Sequence, residues 1–160
     1  MKYILSEEDD VIQFGKYLDA LAKYRDQLPD EVAQFAEDES RFCLQGGGTL
    51  HDAWIETITV REKRAAGDDA SSCEIELVLL GPLHDRRIQL RYLGVKAYTV
   101  DGRGENGFQA FHGDIHTHEV RLSDDGLVVH EIVGVDEFRI QVECRTFTVM
   151  DEMLGDDLLQ

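Results

Sequence analysis

The stretch FHGDIHTHEV, residues 111–120, sets three histidines and an aspartate within ten positions. Neutral imidazole is a common ligand for zinc and iron, and two histidines spaced His-x-His on a strand leave the same face. His112, Asp114, His116 and His118 share that parity. With His130 on a returning strand they make a candidate site for a divalent transition metal such as zinc. The same parity continues into Val120 and Leu122, a core-facing pattern. Gly113 is a place for a bulge, and no glutamate stands three or four residues beyond His118 to complete a cupin-like ligand set. The competing reading is therefore that the imidazoles are scaffold, with no cofactor.

Other chemistry finds less support. Leu50-His51-Asp52 and Leu83-His84-Asp85 repeat a tripeptide, each after a glycine-containing turn and each opening a strand. Neighbours on a strand point to opposite faces, so the aspartates are expected to cap turn amides rather than orient the histidines. Ser71, Ser72 and Ser123 lie in loop or turn sequence without a nucleophile elbow. No glycine-rich phosphate loop opens a helix. Arg61, Lys63, Arg64, Arg86, Arg87 and Arg91 form a basic strip whose expected role is cross-strand pairing with Glu74 and Glu76. An enzyme is thus unsupported.

The elements that must position these residues fall in two blocks. Ser6 as an N-cap, the acids Glu7–Asp10, and apolar residues at Val11, Phe14, Leu18, Leu21 and Leu28 predict one long helix ending before Pro29. Pro29-Asp30-Glu31 predicts a second, burying Val32, Phe35 and Ala36. Gly46–Gly48 closes this helical part, residues 1–45. From Leu50 the apolar period becomes two, with turns at Gly81-Pro82, at 101–107 and at Asp124-Asp125-Gly126. Phe147 and Val149 extend the final strand past a bend near Cys144. Trp54 and Ile55 are expected to anchor the helices on the sheet. The fold class is α+β: two N-terminal helices, then a curled antiparallel sheet of six or seven strands over 50–150, in a single domain with an acidic tail at 151–160.

Charge is the strongest signal in the composition. The 160 residues carry 33 acids and 16 bases, a formal net charge of −17. The excess is densest at the two ends, with eleven acids against four bases in residues 1–40 and four acids without a base in 151–160. Such a surface repels nucleic acid and anionic membranes and attracts a basic partner. No apolar run approaches a membrane span, and MKYILSEEDD does not read as a secretory leader. Cys43, Cys73 and Cys144 lack metal-ligand spacing, the last two being in phase with core residues; a reducing cytoplasm is the expected compartment.

The segments LHDAWIETITV (50–60), LLGPLHDRRIQLRYLGV (79–95) and HEVRLSDDGLVVHEI (118–132) resemble small bacterial proteins of unassigned function in which an LHD opening leads into an antiparallel β domain. Some of these are thought to be immunity proteins that neutralise toxins. The resemblance covers residues 1–150 and rests on strand and turn patterns, so it brings over no catalytic residues. Together with the charge it implies a non-enzymatic cytoplasmic protein-binding module that occludes a basic toxin domain, through Glu7–Asp10, Glu37–Glu39 and Asp151–Asp157. The alternative is a metal-binding protein or small metal-dependent enzyme using His112, His116 and His118.

Overall fold

The switch from helical to alternating apolar spacing is where the backbone changes from helix to strand. The computed structural model describes residues 1–4, 12–64, 71–102, 113–135 and 138–155. Among these, two α-helices, α1 (Phe14–Leu21) and α2 (Asp30–Glu37), precede eight strands. The strands are β1 (Trp54–Lys63), β2 (Ser72–Leu80), β3 (Arg86–Leu93), β4 (Ala97–Asp101), β5 (Ile115–Leu122), β6 (Val128–Gly134), β7 (Arg139–Cys144) and β8 (Thr146–Met153).

The first helix is shorter than its apolar stripe predicts. Gln13 donates its N–H to the Ile4 carbonyl (2.6 Å) and holds φ −111°, ψ 62°, so helical geometry begins only at Phe14. It ends at Leu21, and Leu28 reaches the core through a 3-10 turn at Arg25–Gln27. The Ser6 cap and Val11 lie outside the described residues. The second helix forms where Pro29 and the acids Asp30 and Glu31 predict it, and buries Val32, Ala33, Phe35 and Ala36.

The strands form two antiparallel four-stranded sheets, ordered β1-β2-β3-β8 and β4-β7-β6-β5, in place of one curled sheet of six or seven. The difference arises at one corner. Chain β3–β4 lies antiparallel to chain β7–β8, and both bend at the same level, so each long strand starts in one sheet and finishes in the other. Gly94 takes φ +62° there. Arg145 N–H donates to the Leu93 and Gly94 carbonyls (3.1 and 3.3 Å), and Lys96 N–H to the Glu143 carbonyl (2.8 Å). The apolar residues expected to extend the last strand past Cys144 therefore form a strand of their own in the other sheet. The sheets do not close on each other; an isolated Trp54–Asp114 bridge links β1 to the approach to β5.

The acidic tail begins later than its charge suggests. Asp151, Glu152 and Met153 continue β8, with Asp151 opposite Ile88 and Glu152 opposite Arg87. Cations make this strand acceptable: Arg41 Nη1 lies 2.9 Å from Asp151, and Arg86 Nη1 4.0 Å. Residues 156–160 lie outside the described residues.

One hydrophobic cluster takes in both helices and both sheets, including Tyr17, Leu21, Val32, Phe35, Leu77, Leu90, Tyr92, Ile132, Val142 and Phe147. Cys144 is part of it, and burial pushes its thiol up to about 12. Cys73 keeps the predicted phase but is only partly buried. Among the described residues, no helix is long and apolar enough to cross a membrane.

The corner has a direct test. A Cβ at position 94 would demand a left-handed backbone and would collide with the Arg145 side chain. Gly94→Ala is expected to lower unfolding stability by about 1–3 kcal/mol, read from urea denaturation. An unchanged midpoint would mean that the bend does not constrain the fold.

Candidate functional site

Strands β5 and β6 carry the chemistry-bearing residues, and their pairing decides where each one points. A register shift between Ile115 and Thr117 makes His116 the extra residue of a bulge. Beyond it the pairs run His118–Ile132, Glu119–Glu131 and Val120–His130. His118 and Val120 thus face the interior with His130 and Ile132, while Glu119 and Glu131 leave the opposite face. All of these are buried, so this strand pair is covered on both sides.

On the inner side, His118 and His130 lie in an aromatic nest. Phe42 stacks on His118 (centroids 4.0 Å, 18°), Phe147 on His130 (5.1 Å, 14°), and Phe35 approaches His130 edge-on at 5.6 Å. A hydrogen-bond chain runs through them. His118 Nε2 is 3.2 Å from the Arg41 carbonyl, His118 Nδ1 is 3.2 Å from His130 Nε2, and His130 Nδ1 is 2.8 Å from the Tyr92 hydroxyl. A carbonyl only accepts, so His118 Nε2 carries a proton and its Nδ1 accepts. His130 Nε2 must then donate, leaving His130 Nδ1 to accept from Tyr92. Every nitrogen is engaged with both rings neutral. Burial accordingly drives His118 down to about 3, and burial with the adjoining His118 drives His130 well below its ordinary value. Burial also raises the Tyr92 hydroxyl, which keeps its proton.

The structure thus brings together two of the four histidines predicted as metal ligands, and binds them to each other. His116 is apart from them: its carbonyl accepts from His51 Nδ1 at 2.8 Å, and its ring centroid lies 6.1 Å from that of His51. His112 lies outside the described residues. Among the described residues, no group of three or more His, Cys, Asp or Glu side chains is placed to hold a metal ion.

The repeated tripeptides occupy turns rather than strands, so the expected opposition of neighbouring side chains does not apply. Asp52 and His84 have φ +59° and +56°. His51 Nε2 consequently comes within 3.5 Å of Asp52, and Asp85 makes a two-point contact with Arg86 (2.9 and 3.1 Å). Trp54 does not anchor the helices; it is half exposed and meets His84 edge-on at 4.6 Å.

On the outer side, the buried Glu119 carboxylate accepts from the backbone N–H groups of Tyr3 (2.7 Å), Ile4 (2.8 Å) and Lys2 (3.1 Å). Glu131 lies beside the Met1 nitrogen (3.0 Å), Arg139 (3.2 Å) and Arg121 (3.3 Å). The like charges paired across adjacent strands are thereby each satisfied, Glu119 by amide donors and Glu131 by cations, and residues 1–4 are strapped over the sheet. This role of Glu119 was not foreseen. A glutamate alternating with Val120 reads as solvent-facing, and its signal lies only in its register opposite Glu131.

Three members of the basic strip pair across strands with Glu74 and Glu76 as expected, Arg87 pairs with Glu56 instead, and Arg64 and Arg86 meet the nearby Glu62 and Asp85. Lys63 and Arg91 both reach Glu74 (2.6 and 3.0 Å), Arg61 reaches Glu76 (2.9 Å), and Arg87 reaches Glu56 (2.6 Å). The bonds from Lys63 and Arg91 hold the Glu74 carboxyl below its usual range. Between α2 and β8 a cleft of about 390 Å³ is lined by Glu31, Gln34, Phe35, Asp38, Arg41, Thr148 and Val149.

Two outcomes follow. The unfolded chain protonates these histidines near pH 6.5, whereas the folded chain holds them neutral to far lower pH. Stability is therefore full above ~6.5 and falls by about 1.4 kcal/mol per histidine for each pH unit below it. Imidazole ¹⁵N spectra should show His118 and His130 still as neutral Nε2–H tautomers at pH ~5.5; imidazolium signals from either would contradict the buried chain. Glu119→Ala is expected to cost about 3–5 kcal/mol and to speed amide exchange at Tyr3 and Ile4, because three amides lose their acceptor. Slow exchange at those amides in the variant would show that other contacts hold the strap.

No family model, curated protein or solved structure matches the chain.

Proposed function

We propose that this chain is a non-catalytic protein-binding module that takes up a basic partner. The observation that carries the reading is the distribution of charge after internal pairing. The strand cations Arg61, Lys63, Arg87, Arg91, Arg121 and Arg139 are already bound to carboxylates of the same chain. These six cations share four carboxylates, Glu56, Glu74, Glu76 and Glu131, so they are spent inside the fold and the chain as a whole keeps its formal excess of −17. The two core histidines add no positive charge, since burial keeps them neutral. A surface of this kind accelerates encounter with a cationic protein and rejects anionic ones.

The helical side supplies much of the free acid. Asp19, Asp30, Glu31 and Glu39 form no ion pair within the described residues, whereas Glu37 and Asp38 are engaged by Arg25 and Arg41. Asp151 and Glu152, grouped by sequence with the binding acids, serve β8 and its neighbours instead. The chemistry of the occupant is thus a basic protein surface, and occlusion of a basic toxin domain is its most specific form.

Affinity purification from native cells at low ionic strength is expected to recover a basic protein that dissociates as salt is raised. Recovery of no basic protein under those conditions, with the bait folded and abundant, would overturn this reading.

A further inference from the structure

Strand β8 is bonded to β3 and ends its sheet, so among the described residues its outer edge has no strand partner. Natural edge strands are commonly guarded by lysine, proline or a bulge. Thr148 and the four residues Met150 to Met153 of β8 are exposed, Met150 at 57% and Met153 at 61%. Beside this edge runs the cleft under α2. Glu31, Gln34, Phe35 and Asp38 follow helical spacing and form one wall, and Thr148 and Val149 form the other. Phe35 and Val149 give it an apolar lining. Glu31 has no partner among the described residues. Arg41 also lines the cleft; it is bound to Asp151 (2.9 Å) and to the Gly48 carbonyl (2.9 Å) and stands 3.6 Å from Asp38, so Glu31, Asp38 and Asp151 around it leave an excess of negative charge.

Resting on the protein-binding reading above, we propose that this cleft takes an extended basic segment of the partner. The segment adds as a strand to the outer edge of β8 and sets a lysine or arginine side chain against Glu31, with Asp38 shared between that side chain and Arg41. Main-chain bonding to β8 would supply affinity, and the two carboxylates would select the cationic side chain. The cleft volume suits one such side chain with the backbone that carries it.

The probe is a synthetic peptide of alternating Lys and Val, with an alternating Glu and Val peptide as control. The Lys–Val peptide should bind the intact protein and slow amide exchange in β8 at residues not bonded to β3. Affinity should fall about tenfold in the Glu31→Gln/Asp38→Asn variant. It should change less than about twofold in Asp124→Asn/Asp125→Asn, which removes equal charge from the β5–β6 turn. Three results overturn the inference: no binding of the Lys–Val peptide, equal losses in the two variants, or protection that misses β8. The native partner separates this inference from the reading it rests on. If the wild-type chain captures a basic partner and Glu31→Gln/Asp38→Asn captures it equally well, the cleft assignment fails and the binding function stands.

Discussion

The structure turns on one constraint: β5 and β6 are buried on both faces while carrying ionisable side chains on both. A buried polar group without a partner costs free energy that a marginally stable fold cannot absorb several times over. Each of the four residues has therefore drawn in a distant piece of chain. Inside, His118 and His130 are satisfied only because Tyr92 arrives from β3 and the Arg41 carbonyl from the end of the helical part. Outside, Glu119 and Glu131 are satisfied by residues 1–4 and by Arg121 and Arg139. The strand pair thus fixes both the seat of the helices and the path of the N-terminal segment.

This explains which features were legible in the sequence. Apolar period and turn residues report local backbone preference, so the second helix, the hairpin at Asp124-Asp125-Gly126 and the inward sets Ile75–Leu77–Leu79 and Ile88–Leu90–Tyr92 could be read directly. The division into two sheets could not. It depends on Gly94 and Arg145 bending at the same level, a coincidence of two positions far apart in the chain. The late start of the first helix is also tertiary, because the Ile4 carbonyl takes up the Gln13 N–H where residues 1–4 are held by Glu119.

The histidines show the same limit at the level of chemistry. Spacing placed His116 and His118 on one face, and a single extra residue at the bulge separated them. What parity could not convey was that an aromatic nest would surround the inner pair, so that the rings serve as polar members of an aromatic core. The acids divide likewise into those that hold the fold, such as Glu74, Glu119 and Asp151, and those left without an ion pair among the described residues, such as Asp19 and Glu31. Total charge is visible in composition, but that division appears only once the pairing partners are in place.

The order of strands also has a temporal side. β3 pairs with β2 on one flank and with β8 on the other, and β8 follows it only after four intervening strands. During synthesis the first three strands leave the ribosome while the place of the fourth is still vacant. Ile88, Leu90 and Tyr92 then present an open flank until the other sheet has been laid down and the chain doubles back. The interval between those events is when the nascent protein is most open to wrong pairing, and a fast translation rate across the second sheet would shorten it.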